Sequence, residues 1–531
     1  MTNPPSRAPA LYNSIEFSLE RLTPRTRELN LVSGTGRGTR GSKPPGRSLC
    51  ILARAMAAAT LAHIVAVPIL LQGHIAPMLH LAHAIARTGR AIVSFITTES
   101  HARALAGSKH SWYWQGIDES RLRFLGLPDS SARSGQGEWI DEQGRWRGGM
   151  DAFAGAITGH MAMEAALAAT IEGLESVDCF ISDSLSPVLD PIASKLGIPL
   201  AALWTGSASL FALYLDIHDN GYIPVQGGKS SERVIRGVPG IGELQVTDLP
   251  TTLYTDQIDP GYQRAYIGMA RLREVQFAVV NACEGLEGEV LAEIRKSHPN
   301  LLPVGPLVKI PGDADDNHGP LNSSNVGLWD ENHDCITWLD SRAQRSVIYI
   351  SFGSMSDFRF EEIESIGQGI AATGRSFLWV LREELVRDMP EDFVKMFARR
   401  TKEQGMVIPW SPQSQVLNHK AVGGFFTHCG WSSCMEAILA GVPMLALPRF
   451  VDQTFNAKVV CDDWEVGLRM IPKGDVDGVV SRERVEVGIN ALVEKGGELR
   501  SRAMELRKKV GAGSRESIEG FIDSILERRK D

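Results

Sequence analysis

The chain has 531 residues, 43% of them hydrophobic, and a formal charge of -8. It is too long for a single core, apolar enough to bury two, and too acidic to bind nucleic acid. Its seven cysteines are an odd number scattered along the sequence, which argues against a disulfide framework and for a reducing, cytoplasmic setting.

The charge is uneven. Residues 1–55 hold nine basic and three acidic side chains, which leaves -14 for the rest. Rich in Pro, Gly, Ser and Arg and without periodicity, this stretch reads as a disordered basic arm. It is either a transit peptide, which would send the protein to a plastid, a regulatory tail, or sequence upstream of a true start at Met56. The last is favoured, because a first strand follows Met56 closely and Glu16, Glu20 and Glu28 weaken the transit-peptide reading. Gly36-x-Gly38-x-x-Gly41 matches a dinucleotide fingerprint by letter, yet no strand precedes it and no helix follows.

From residue 63 strands and helices alternate. An apolar run at 63–71 leads into a turn at 72–77, a helix at 78–87 and a strand at 91–97. The nearest approach to a membrane span, 55–71, is broken by His63 and Pro68. Alternation returns with a strand at 179–182, a helix at 187–196 and a strand at 199–204. Residues 301–330, punctuated by Pro303, Pro306 and Pro311, read as a linker. A second series of strands follows at 346–352, 377–381, 406–409, 423–427 and 444–447. This α/β pattern predicts two facing, doubly wound Rossmann-like domains with ligands at the carboxyl ends of their strands. An N-terminal domain is expected over 56–300, a C-terminal one over 331–510, and a final helix over 511–531 that packs back on the first domain.

Residues 410–453 read WSPQSQVLNHKAVGGFFTHCGWSSCMEAILAGVPMLALPRFVDQ. This resembles the 44-residue signature box of plant-type UDP-glycosyltransferases, and it matches every characteristic position except Ser432, where the family usually carries Asn. Gln72-Gly73-His74-x-x-Pro77, Val304-Gly305-Pro306-Leu307, Cys335-x-x-Trp338-Leu339-Asp340, Ser346 to Ser354 and Phe377-Leu378-Trp379-Val380 extend the resemblance over most of 60–520. It implies the GT-B fold, an acceptor-binding first domain, a UDP-sugar-binding second domain, and transfer of a hexose to a hydroxyl or carboxyl of a small lipophilic acceptor.

The residues suit that chemistry. Trp410, with Ser411, offers a ring face to uracil, and the resemblance gives Gln413 and Glu436 to the ribose. The turn from His428 through Trp431, Ser432 and Ser433 enters a helix whose free N–H groups and positive dipole end suit a diphosphate without a metal. His428, Ser433 and Ser354 would add donors. By the resemblance Asp452 and Gln453 would hold the sugar, and Gln453 together with Trp431 resembles family members that use neutral glucose. In the family the base is the His of the first turn, here His74, oriented by a carboxylate resembling Asp183. A neutral His held in one tautomer is suited to taking the acceptor proton. Thr205 occupies a position that often contacts the sugar.

Two other classes fit the sequence less well. A nicotinamide oxidoreductase would need a glycine fingerprint between a strand and a helix. A non-catalytic nucleotide-sugar-binding protein would keep the box and lose His74 or Asp183, and both are present. Cys429 and Cys434 beside His428 lack the second ligand pair of a zinc site, so no metal or other cofactor is expected. The chain is expected to act as a monomer with UDP-glucose and the acceptor as its partners, without nucleic acid or a membrane span. Trp112, Trp114, Trp139 and Trp146 are candidates for the acceptor pocket.

Overall fold

The computed structural model describes residues 61–107, 116–129, 149–220, 240–253, 271–308, 331–382, 392–472, 479–510 and 513–529, with a few isolated positions between them. The basic arm with Met56, Trp139 and Trp146, and residues 309–330 of the expected linker lie outside the described residues.

Two parallel sheets organise the chain. The strands of the first are β1 (Ala62–Val67), β2 (Ala91–Thr98), β3 (Leu122–Leu127), β4 (Cys179–Asp183), β5 (Leu200–Trp204), β6 (Phe277–Val280) and β7 (Leu301–Pro303), in the order 3-2-1-4-5-6-7. The second contains β8 (Val347–Ser351), β9 (Ser376–Val380), β10 (Gly405–Ile408), β11 (Val422–Thr427), β12 (Met444–Ala446) and β13 (Gly467–Arg469), in the order 10-9-8-11-12-13. The central strands β1, β4, β8 and β11 are buried nearly throughout. Covered on both faces, such strands read as apolar runs without alternation.

Each sheet reverses its strand order once, between β1 and β4 and between β8 and β11. A crevice opens at such a point because the loops leaving the two strands run to opposite faces. His74 stands in the first turn of the helix that follows β1 and Asp183 at the end of β4, while Ser354 and His428 lie just beyond β8 and β11.

Several boundaries depart from the sequence reading. The helix expected from 78 begins at Gln72, so the predicted turn at 72–77 is the opening of α1 (Gln72–Arg87). Inside this helix Pro77 cannot donate to the carbonyl of Gly73. The loss is tolerated here because Gly73 is exposed at the cleft, where its carbonyl can bond to water in place of the missing N–H. Residues 301–303 belong to the edge strand β7, not to the linker. Strands β3, β6 and β13 were not anticipated, and none has a box or turn motif beside it. Trp114 faces away from the cleft and packs edge-on against Phe124 at 5.5 Å in the first core.

Helix α2 (Gly149–Met161) brings Phe153 against Ile69 and Leu71. Helices α3 (Ala208–Asn220), α4 (Gln413–Asn418), α5 (Trp431–Ala440) and α6 (Arg482–Lys509) lead to the last helix, α7 (Gly513–Arg528). Ile518, Phe521, Ile522 and Ile525 of α7 are buried in the core of the first sheet, with the Phe521 ring edge-on to Phe277 at 5.1 Å. The chain thus returns to its first domain after completing the second, and α7 ties the two ends together. Phe521→Ala is expected to cost about 3–5 kcal/mol through lost transfer energy and an unfilled cavity. Denaturant unfolding would read this as a lower midpoint, with the donor KM of the folded protein unchanged because α7 does not line the cleft.

Candidate active site

A cleft of about 500 Å³ lies between the carboxyl ends of the two sheets. On its first-domain wall, Leu71 caps α1 and His74 falls in the opening helical turn. The His74 ring is 14% exposed and places Nδ1 2.7 Å from Oδ2 of Asp183, whose side chain is fully buried. Asp183 Oδ1 accepts the Leu185 N–H at 3.0 Å. A carboxylate can only accept, so Nδ1 carries the proton and Nε2 keeps a lone pair.

Burial works against charging both groups, and their pairing outweighs it. Desolvation would lower the His74 pKa, but the charge and hydrogen bond of Asp183, with Asp452 behind, raise it above the ordinary histidine value. Desolvation likewise pushes Asp183 up, and His74 and the Leu185 N–H bring it below the ordinary carboxylate value.

Sequence reasoning missed the shell behind this pair. Arg271 is buried, donates from Nη1 to the Asp183 carbonyl at 2.6 Å and from Nη2 to Ser182 Oγ, and engages Asp190 from Nε at 2.8 Å. His160 sits 2.7 Å from Ser186 Oγ, and burial lowers its pKa to about 4, which keeps it neutral. Neither residue stands in a motif. Phe153, Leu185, Met355, Trp204, Leu210 and Tyr214 give the same end of the cleft an apolar lining, and no spacing in the sequence groups them.

Across the cleft, Trp410 follows β10 and Ser411 Oγ lies 2.8 Å from the Tyr349 hydroxyl. Gln413, first residue of α4, donates from Nε2 to Glu436 Oε2 at 2.7 Å and to Ser433 Oγ at 2.9 Å, and accepts from Tyr349 at 3.1 Å. Burial pushes the Glu436 pKa up to about 7. In α5 the first internal bond runs from Cys434 N to the Gly430 carbonyl. The N–H groups of Trp431, Ser432 and Ser433 therefore have no helical acceptor and form an anion seat at the positive dipole end.

His428 is wedged between two glycines. A Cβ on Gly353 would stand 2.4 Å from its Nε2 and one on Gly430 2.6 Å from the same atom, so both positions need glycine. Burial lowers the His428 pKa to about 4, leaving a neutral ring. Trp431 is 5% exposed and its indole N–H goes to the Asn281 carbonyl of the first domain at 3.0 Å, so its side chain can offer a ligand only ring carbon. Gln453 Oε1 accepts the Arg449 N–H at 2.9 Å, which leaves its amide N–H groups for a ligand. Asp452 accepts from Asn456 at 2.6 Å.

The cleft brings together His74, Thr205, Ser354, Trp410, Ser411, Gln413, His428, Trp431, Ser432, Ser433, Glu436, Asp452 and Gln453. Asp183 lies behind His74, out of the cleft. Among the described residues no Lys or Arg lines the cleft, no group of three or more His, Cys, Asp or Glu could hold a metal ion, and no helix is long and apolar enough to cross a membrane.

Comparison with known proteins agrees with this geometry. Residues 329–473 match the family described as UDP-glucoronosyl and UDP-glucosyl transferase. UDP-glycosyltransferase 85A1 of Arabidopsis thaliana is 30% identical over 465 residues, spanning 84% of this chain and 91% of that protein. The 7-deoxyloganetin glucosyltransferase of Catharanthus roseus is 29% identical over 463 residues, covering 83% and 91%. Among solved structures, Os79 from O. sativa in complex with UDP superposes with a TM-score of 0.71 at 23% identity, covering 87% of this chain and all of that one. UGT71G1 of Medicago truncatula, complexed with UDP-glucose, gives 0.69 at 24% identity over 88% of this chain and 98% of its own. The likeness to these structures carries the two-domain GT-B fold, and the identity sustained along nearly the whole length makes this chain a member of the plant UDP-glycosyltransferases.

Proposed function

We propose that the enzyme transfers glucose from UDP-glucose to a hydroxyl or carboxyl group of a small lipophilic acceptor, by a single displacement that inverts the anomeric centre and needs no metal. The observation that carries this reading is the 2.7 Å contact of His74 with buried Asp183 at the apolar end of the cleft, facing the Asp452–Gln453 loop. In the proposed reaction His74 Nε2 takes the acceptor proton as the acceptor oxygen attacks the anomeric carbon. A bond forms from that oxygen to the carbon, the bond from the carbon to the diphosphate breaks, and UDP leaves with the electron pair. The imidazolium so formed is stabilised by the Asp183 carboxylate.

The remaining residues divide the donor between them. Trp410 takes the uracil face, and Gln413 with Glu436 takes the ribose diol, whose hydroxyls replace the bond these two side chains make with each other. The open N–H groups of α5, with His428, Ser354, Ser432 and Ser433, receive the diphosphate, and these neutral donors do the work a cation does elsewhere. Asp452, Gln453 and Thr205 hold the glucose. Glucose is supported by the relatives named as glucosyltransferases and by UDP-glucose in the Medicago structure. The lipophilic acceptor is supported by the lining of Phe153, Leu185, Met355, Leu210 and Tyr214.

His74→Ala is expected to lower kcat by about a hundred- to ten-thousandfold, the usual range for a general base, while the Kd for UDP stays put because His74 lies on the other wall. Calorimetric titration with UDP alongside turnover assays separates the two; an equal loss of UDP affinity contradicts this division of labour. Ser432→Asn restores the family's amide at the second position of α5, and a hydrogen bond to a charged group strengthens donor binding by up to about tenfold. Steady-state assays should therefore show a lower KM for UDP-glucose with acceptor preference unchanged. Weaker donor use by this variant would mean that the turn presents position 432 elsewhere.

A further inference from the structure

Val451 stands immediately before Asp452 with a φ of 55°. Among the described residues it is the one β-branched residue in the left-handed region, a conformation that persists only when surrounding contacts impose it. Those contacts come from the opposite domain. The Thr251 N–H donates to the Val451 carbonyl at 3.0 Å, and the Val451 N–H donates to Thr251 Oγ1 at 2.7 Å, a reciprocal pair that fixes the peptide groups on both sides of the strained residue.

The same segment is tied on further. Thr454 Oγ1 donates to the Leu249 carbonyl at 2.5 Å, and the neighbouring strand β13 reaches the same stretch of the first domain, where Arg469 Nη2 donates to the fully buried Asp248 at 2.9 Å. On its other flank the loop is held by its own domain, since Arg449 pairs with Glu362 through both Nη atoms at 2.9 and 3.0 Å while its N–H goes to Gln453. The loop that carries Asp452 and Gln453 is thus clamped between Glu362 and Thr251, one from each half of the molecule.

We propose that Thr251 is a positioning residue for the transfer, holding the Asp452–Gln453 loop from the acceptor domain in the conformation that presents both side chains to the donor sugar. This rests on the reading that Asp452 binds that sugar. The consequence is specific: Thr251 bonds to the loop and to nothing in the walls assigned to uracil, ribose or diphosphate, so its loss affects use of UDP-glucose and spares UDP. It also couples the domains, because the sugar loop reaches its working shape only while the first domain is docked against it.

Thr251→Val removes the hydroxyl at constant shape and leaves the Thr251 N–H bond in place. The expected result is a loss of about three- to tenfold in kcat/KM for UDP-glucose, the equivalent of one ordinary hydrogen bond, with an unchanged inhibition constant for UDP. Thr251→Ser, which keeps the acceptor oxygen, should behave like the unmodified enzyme. In a Val451→Asn background, where the left-handed backbone is readily adopted, Thr251→Val should lose most of its effect. Asp452→Ala is assayed in parallel. If it is impaired on UDP-glucose while Thr251→Val stays within about twofold of the unmodified enzyme, a difference smaller than one hydrogen bond supplies, the positioning role is overturned and the sugar reading stands. If Asp452→Ala uses UDP-glucose normally, the sugar reading falls and the role of Thr251 with it. Equal weakening of UDP and UDP-glucose by Thr251→Val likewise overturns the proposal, since it would show support of the whole donor half.

Discussion

A hydrogen bond from His74 to a carboxylate that has no contact with water is the constraint around which the first domain is arranged. Burying Asp183 costs desolvation energy, and the cost is offset only because both oxygens are engaged, one by the imidazole and one by the Leu185 N–H. That arrangement requires β1 and β4 to be neighbours, so that the turn after one meets the end of the other. It also requires the peptide at 183–184 to be held, which buried Arg271 does from behind. In the proposed reaction the cost returns as reactivity, because a carboxylate so placed keeps the outward nitrogen free and stabilises the imidazolium formed there.

In the proposed reaction the second domain meets a different problem, the placement of a highly charged donor, without lining cations among its described residues. Its means are backbone dipoles and a neutral His428 packed between Gly353 and Gly430. Charge-neutral donors suit a leaving group that must be released after each turnover, since they stabilise the departing diphosphate without holding it as a buried ion pair would. The reciprocal contact of Thr251 with Val451 joins the two solutions, because the loop between them is shaped by both domains at once.

How much of this could be read in advance follows from how local each signal is. The wall proposed for the donor is carried largely by 44 consecutive residues, 410–453, in which two short β-α units, α4 to β11 and α5 to β12, set the positions, so the placement of Trp410 through Gln453 in one cleft was legible. His74 and Asp183 are 109 positions apart, yet both stand at strand ends of one predicted sheet, and parallel topology is enough to bring them together. The opening of α1 was not legible, because a proline five residues after Gln72 reads as a breaker and nothing in the sequence tells that Gly73 faces open space. Arg271, His160 and Thr251 were invisible for a related reason. Each acts through contacts with main-chain or side-chain atoms 26 to 200 positions away, and no spacing rule records such contacts. The aromatic residues at 112–146 drew attention through composition alone, and Trp114 turned out to serve the core.

The pH dependence of kcat/KM for the acceptor tests the central claim most directly. A base must be neutral to act, and the His74 pKa is raised above 6.5, so activity should be full at alkaline pH and fall as pH drops through a midpoint above 6.5. Replacing Asp183 with Asn removes the charge that raises this value and leaves burial, which lowers it. The account predicts that the residual activity of Asp183→Asn shows its acid limb shifted to lower pH. An acid limb at the same pH in both enzymes would contradict it, because the group being titrated would then not be a histidine held by Asp183.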